Sequence, residues 1–364
     1  MSRPRLPVEL TDLAISQLGD DFSALLACAL VCRNWVACSR RHFPIIIYDD
    51  KVTSFIELIQ NPKTTLPQST RRLEVALVLQ RDGLAELILP FIPTFTALHS
   101  LQLSQMRLAE FPSHPTVVEL TLSNCHFESW AGILGSVASF PRLRHLALET
   151  PMWNDSSLLQ VQNVAPIDLE SLQMDLIPRP DNFHVLRPRK MIFKCFLYST
   201  ADAGPTTRYL HVLGRHLTEL CLQGPDISSQ IDFSRNTNLQ RLEIGGVYIT
   251  SDVEALRVSP LLLPFLPRIA AHCQLQTLTL SVSSPAPPWA RMTLTSLSQE
   301  LIKDLLQIPG LEGLRELRIV LSGLPPHYVT ASLEETVSEF LPSERTKIVG
   351  VVEGKIVIPP GDSE

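Results

Sequence analysis

One spacing, LxxLxL, constrains this chain more than any other feature of its sequence. It recurs at Leu98/Leu101/Leu103, Val117/Leu120/Leu122, Leu143/Leu146/Leu148, Leu169/Leu172/Met174, Leu217/Leu220/Leu222, Leu239/Leu242/Ile244, Leu275/Leu278/Leu280 and Leu314/Leu317/Ile319. Weaker copies fall at Thr70, Leu73 and Val75 and near Met191 and Phe193. Two apolar residues spaced by two lie on one face of an extended strand, and the residue between them lies on the other. So short a strand cannot bury its apolar face alone, and recurrence along the chain predicts units stacked to share one core.

Between the copies lie apolar runs at 84–92, 130–140, 157–164, 207–215, 261–273 and 297–308, which read as helices. Several stop at Pro93, Pro141, Pro166 or Pro309, just before the next strand. Strands alternating with helices predict an α/β chain with parallel strands. The unit length runs from 19 residues to nearly 50, or to nearly 30 in that gap if the copy at Met191 counts, and is 39 near the C-terminus. Only the copy at Val117 continues into a longer signature, with Cys125 capping the turn and Phe127 refilling the core; Met106, Pro151 and Pro225 depart from it. The array resembles the leucine-rich-repeat family in an irregular form. That resemblance implies a solenoid over residues 70–325, a horseshoe with parallel strands on its concave face. A solenoid exposes its last apolar layer, so the ends need covers. Residues 44–69, with a strand at 44–48 and a helix at 52–60, serve one end. Residues 326–364 serve the other, with a helix at 331–341, strands at 347–352 and 355–358 around a turn at Gly354, and a frayed tail at 359–364. Residues 283–289 read as a surface loop.

Residues 1–43 differ in kind. A first helix after Pro7 places Leu10, Leu13, Ala14 and Leu18 on one face, and Asp21 is positioned to cap a second. The second, from Phe22, is apolar nearly all round, which predicts burial on every side. A short third helix carries Trp35 inward and Arg40 and Arg41 near its end. Fewer than forty residues cannot hide so much apolar surface, which leaves some of it for a partner.

The opening LPVEL (Leu6, Pro7, Val8, Glu9, Leu10), the pair Ile15 and Leu18, and the closing VCRNW (Val31, Cys32, Arg33, Asn34, Trp35) resemble the F-box motif over about forty of 364 residues. The resemblance implies that the helices bind a Skp-type adaptor, which links to a cullin and a RING subunit. Leu6, Pro7, Leu10, Ile15, Leu18, Leu30, Val31 and Cys32 then lie at or near the adaptor contact, and Trp35 packs the inner core. The alternative reading of these residues is an ordinary three-helix cap over the end of a larger domain.

A formal net charge of −6 with no dominant basic block argues against nonspecific binding to nucleic acid or to an anionic membrane. Arg187, Arg189 and Lys190 form the densest basic cluster and read as a solvated edge. No apolar window is long enough for a membrane span, and Glu9 and Asp12 interrupt any secretory leader, so an intracellular protein of cytoplasm or nucleus is expected. Seven cysteines, odd in number and set among apolar neighbours, read as buried thiols. Cys28, Cys32, Cys38 and His42 carry zinc-ligand types. Cys28 and Cys32 sit one helical turn apart in an apolar run with Cys38 offset, and buried thiols explain the set without a metal. No P-loop, GxGxxG, HExxH or GxSxG occurs. His211 and His216, Cys125 beside His126, and Cys221 near Glu219 each lack an orienting third group. The Asn154 to Ser156 glycosylation pattern lacks a secretory context. Neither catalysis nor a cofactor is expected.

The residues between the strand leucines form two concave rows. One runs Glu119, His145, Ser171, Glu219, Arg241, Thr277, Glu316; the other runs Thr121, Ala147, Gln173, Cys221, Glu243, Thr279, Arg318. Acidic residues outnumber basic ones in them, which predicts a modest preference for a basic target segment. The candidate target-binding residues are Glu119, His145, Gln173, Glu219, Arg241, Glu243, Glu316 and Arg318. The expected function is that of a substrate receptor in a Skp/cullin/F-box ubiquitin ligase, similar to irregular F-box and leucine-rich proteins of fungi, with an unidentified protein as target. A scaffold acting without the cullin ligase is the alternative.

Overall fold

A computed structural model describes residues 7–18, 21–40, 42–77, 83–108, 113–153, 165–175, 185–194, 204–223, 231–248, 266, 269, 271–283, 314–322, 347–352 and 355–356. These form a mixed α/β fold with mostly parallel strands in an open sheet, divided into two compact units at 1–165 and 166–364.

The first unit opens with three helices, α1 (Val8–Ser16), α2 (Phe22–Val31) and α3 (Arg33–Arg40). Asp21 caps α2 as expected, its Oδ1 accepting from the amide of Ala24 at 2.9 Å. The chain continues through β1 (Pro44–Tyr48), α4 (Val52–Gln60), α5 (Leu66–Ser69), β2 (Arg72–Ala76), α6 (Leu84–Ile88), β3 (Ser100–Ser104), β4 (Arg107–Leu108), β5 (Glu119–Ser123), β6 (His126–Phe127), α7 (Trp130–Ala138), β7 (His145–Glu149) and β8 (Met152–Trp153). Strands β1, β2, β3, β5 and β7 pair in parallel, and the register aligns Val75, Leu103, Leu122 and Leu148 across the sheet. All four are buried. The pairs of β4, β6 and β8 make a second small parallel sheet.

Each of β3, β5 and β7 turns toward that second sheet through a residue in the left-handed region, Gln105, Asn124 and Thr150 at φ 59°, 51° and 43°. The next residue, Met106, Cys125 or Pro151, is buried in each case. The turn signature read only at Cys125 therefore recurs at copies whose letters depart from it. The position asks for an apolar group beneath a reversed backbone, which Met and Pro also supply. Asn tolerates that conformation better than the β-branched Thr150, whose hydroxyl donates to Asn124 Oδ1 across the turn.

In the second unit the order is β9 (Ile167–Met174), β10 (Leu186–Lys194), α8 (Gly204–Leu213), β11 (Glu219–Gln223), β12 (Arg241–Tyr248), β13 (Thr277–Ser283), β14 (Glu316–Ser322), β15 (Lys347–Val352) and β16 (Lys355–Ile356). Strands β9 to β15 pair in parallel in chain order, and β16 folds back antiparallel on β15. The weak copy near Met191 is a full strand, with Met191 paired to Leu172 on one side and Leu220 on the other. The longest apparent unit is therefore two units. On α8, Tyr209 is fully buried and its hydroxyl donates to the carbonyl of Leu186 at 3.1 Å. Tyr209→Phe keeps the ring and removes that buried hydrogen bond, so it is expected to cost about 1 kcal/mol in a denaturant titration.

Of the loop expected at 283–289, Ser283 is the last residue of β13, and the rest of it, with Leu6, the helices expected at 157–164, 297–308 and 331–341, Gly354, the tail and the Asn154 to Ser156 pattern, lies outside the described residues. No described helix is long and apolar enough to cross a membrane.

Candidate functional site

Two surfaces carry the functional reading, one in each unit. The first is the outer face of the N-terminal helices. Their core is small: Ile15, Leu25 and Cys38 are buried, with Leu18, Cys28, Trp35 and Phe43 packed against them. The face of α1 that turns inward is Thr11 and Ile15, not the expected Leu10, Leu13 and Ala14. Thr11 can enter the interior because its hydroxyl donates to the carbonyl of Pro7 one turn back, at 3.2 Å. The apolar stripe of Leu10 and Leu13 is thereby left on the outside. The burial of α2 on every side is also corrected. Leu25 is its buried residue, whereas Leu26 and Val31 are more than half exposed, Leu30 is 88% exposed and Phe22 is nearly half exposed. Three short helices provide too little chain to surround the middle one.

Among the expected adaptor-contact residues, Pro7, Leu10, Leu30, Val31 and Cys32 are exposed and Leu18 is half-buried. Ile15, at 1% exposure, belongs to the core and not to the exposed face. Trp35 packs on the core as expected, but is itself only half-buried. Sequence reasoning missed Leu13, Phe22 and Leu26 as surface residues. The signal was available in the all-round apolarity of α2, once set against the number of residues that could cover it. Cys28, Cys32, Cys38 and His42 are dispersed in environment, Cys32 exposed and Cys38 buried.

The second surface is the face of the second unit's sheet opposite the strand leucines. The expected rows hold in register: Glu219 pairs with Arg241, Arg241 with Thr277 and Thr277 with Glu316, while Cys221, Glu243, Thr279 and Arg318 run alongside. Glu219, Arg241, Glu243, Glu316 and Arg318 line an open groove of about 250 Å³, together with Lys190. Gln173 lies two strands along, paired to Ile192, which pairs to Cys221. Glu119 and His145 are partners on β5 and β7 of the first unit and do not join this groove.

Lys190 changes the charge balance. It was read as part of a solvated edge, but β10 places it directly beside Glu219. The Glu219 carboxylate is 3.7 Å from Lys190 Nζ on one side and 3.0 Å from Arg241 Nη1 on the other. Arg318 Nε donates to Glu316 Oε1 at 2.7 Å. The groove thus carries Lys190, Arg241 and Arg318 against Glu219, Glu243 and Glu316, so the two signs balance within it, while the full rows keep a small acidic excess through Glu119 on the first unit. Lys190 stands on β10, a strand outside the two expected rows.

On the groove floor, burial and then the charge of Glu243 push the Cys221 thiol up to about 12. Burial pushes Cys125 and Cys273 up to about 11. All three therefore stay protonated at neutral pH, without the thiolate that nucleophilic chemistry requires. His211 Nε2 lies 2.9 Å from Asp232, whose carboxylate also accepts from Ser234, an exposed arrangement on the outside of α8. No protein-family model and no characterised protein sequence matches this chain.

Proposed function

We propose that this chain is the substrate-recognition subunit of a Skp/cullin/F-box ubiquitin ligase. Its first forty or so residues act as the F-box that holds a Skp-type adaptor, and its strands, as an irregular leucine-rich-repeat solenoid, hold a target protein. One observation carries the reading: Leu10, Leu13, Phe22, Leu26, Leu30 and Val31 stand uncovered on a module whose own core is three residues and their neighbours. An apolar face of this kind on a small helical module marks a protein contact. A simple cap over the end of a larger domain would turn these side chains against that domain.

The receptor makes and breaks no bond. It raises the concentration of a target lysine beside the ubiquitin-carrying enzyme, and the gain is one of proximity. The test is co-purification of the full chain with a Skp-type adaptor and a cullin. Capture of both is expected. Capture of the adaptor alone replaces the ligase with an adaptor-only assembly, and capture of neither overturns the reading.

A further inference from the structure

We infer that the groove across β10 to β14 binds an extended segment of the target protein that carries an acidic and a basic side chain two residues apart. The inference rests on reading this strand face as the target-binding surface, and it adds the chemistry of what is bound there.

The groove is electrically balanced in total but not locally. Lys190 and Arg241 share one carboxylate, Glu219, at 3.7 and 3.0 Å, so among the described groove residues that end carries two positive charges against one negative, the excess spread over both, and the Arg241 side chain is largely exposed. Arg318 and Glu316 neutralise each other on β14. Glu243 is the remaining carboxylate, and its register partners on either side, Cys221 and Thr279, carry no charge. The face therefore presents a positive pole at Arg241 and a negative pole at Glu243. The two stand two residues apart on one strand, about 7 Å along it.

A polypeptide in extended conformation repeats its same-face side chains at that same pitch. A segment lying along β12 with an acidic residue over Arg241 and a basic one over Glu243 meets both poles at once. Nucleic acid and polyacidic segments meet Glu243 as a like charge; a polybasic segment meets the excess positive charge of Arg241 and Lys190. Like-charge juxtaposition is costly, so the dipole selects as much by what it repels as by what it holds.

The experiment uses the full chain bound to its adaptor and four fluorescent decapeptides of one Ser/Thr/Val background, differing in a central pair: Glu-x-Lys, Lys-x-Glu, Glu-x-Glu or Lys-x-Lys. The mixed peptides are expected to bind at least about tenfold tighter than either same-charge peptide. Arg241→Glu is expected to move the preference to Lys-x-Lys, and Glu243→Arg to Glu-x-Glu. Arg241→Gln with Glu243→Gln should erase discrimination while leaving the melting curve in place. Binding of none of the peptides, equal binding of all four, a same-charge preference in the unsubstituted chain, or variants that leave the order unchanged would each overturn the inference. Adaptor capture, measured on the same samples, is independent of these substitutions, so its loss would instead count against the ligase reading.

Discussion

Replacing Leu26 and Leu30 together by Asp is expected to abolish adaptor capture while the strands melt as before. The two residues are one helical turn apart on the outward side of α2, 57% and 88% exposed, and neither belongs to the buried core of the helices. Surface substitutions of this sort change stability by about 0.5 kcal/mol or less, apart from the modest helix-propensity cost of Asp. In an interface the same two side chains are central apolar anchors, each worth about 2 kcal/mol or more, and the replacement also buries unpaired carboxylates. The expected loss is therefore about a thousandfold or greater in adaptor affinity, read by titration alongside thermal melting. Undiminished binding would show that the adaptor does not use this face, and the proposed function would lose its support.

Leu25→Ala is expected to unfold α1 to α3 and to leave the strands intact. Leu25 is 1% exposed and holds together a core whose other fully buried apolar members are Ile15 and Cys38. Removing it costs about 2 to 5 kcal/mol, comparable with all that so small a module can hold. Hydrogen exchange is the direct readout: amides of α1 to α3 lose protection, and those of β3, β5 and β7 keep it. Loss of protection throughout would mean that the helices and the first unit's sheet fold as one cooperative block. Trp35→Ala is expected to do less than Leu25→Ala, because the indole is only half-buried.

The strand pattern was legible to the residue. Alternating leucines against a polar partner dictate which side chains face in, and the pairing of Glu219, Arg241, Thr277 and Glu316 follows from aligning the copies. Strand β1 and helix α4 were equally readable, the first from β-branched residues after a Pro and the second from Phe55, Ile56 and Ile59 on one face before Asn61 and Pro62. Strand β10 was half-hidden because Pro188 stands where a leading leucine is expected. Its loss from the rows hid Lys190 and tilted the apparent charge of the face. The turns at Met106 and Pro151 were obscured for a related reason, since a backbone conformation was being sought through one residue type.

What the sequence determined by itself is which residues are apolar and at what period, and from that come the parallel strands, their register and the presence of three helices at the start. What only the tertiary structure decided is which of two competing apolar stripes a helix turns inward. On α1 both the Leu10/Leu13 side and the Ile15 side are greasy enough to be core, and periodicity cannot rank them. The choice belongs to the neighbours: the space against α2 and α3 admits Ile15 and the back-bonded Thr11, and leaves the leucines facing water. Burial is a property of the whole packing arrangement, and a single helix carries no record of how little surrounds it.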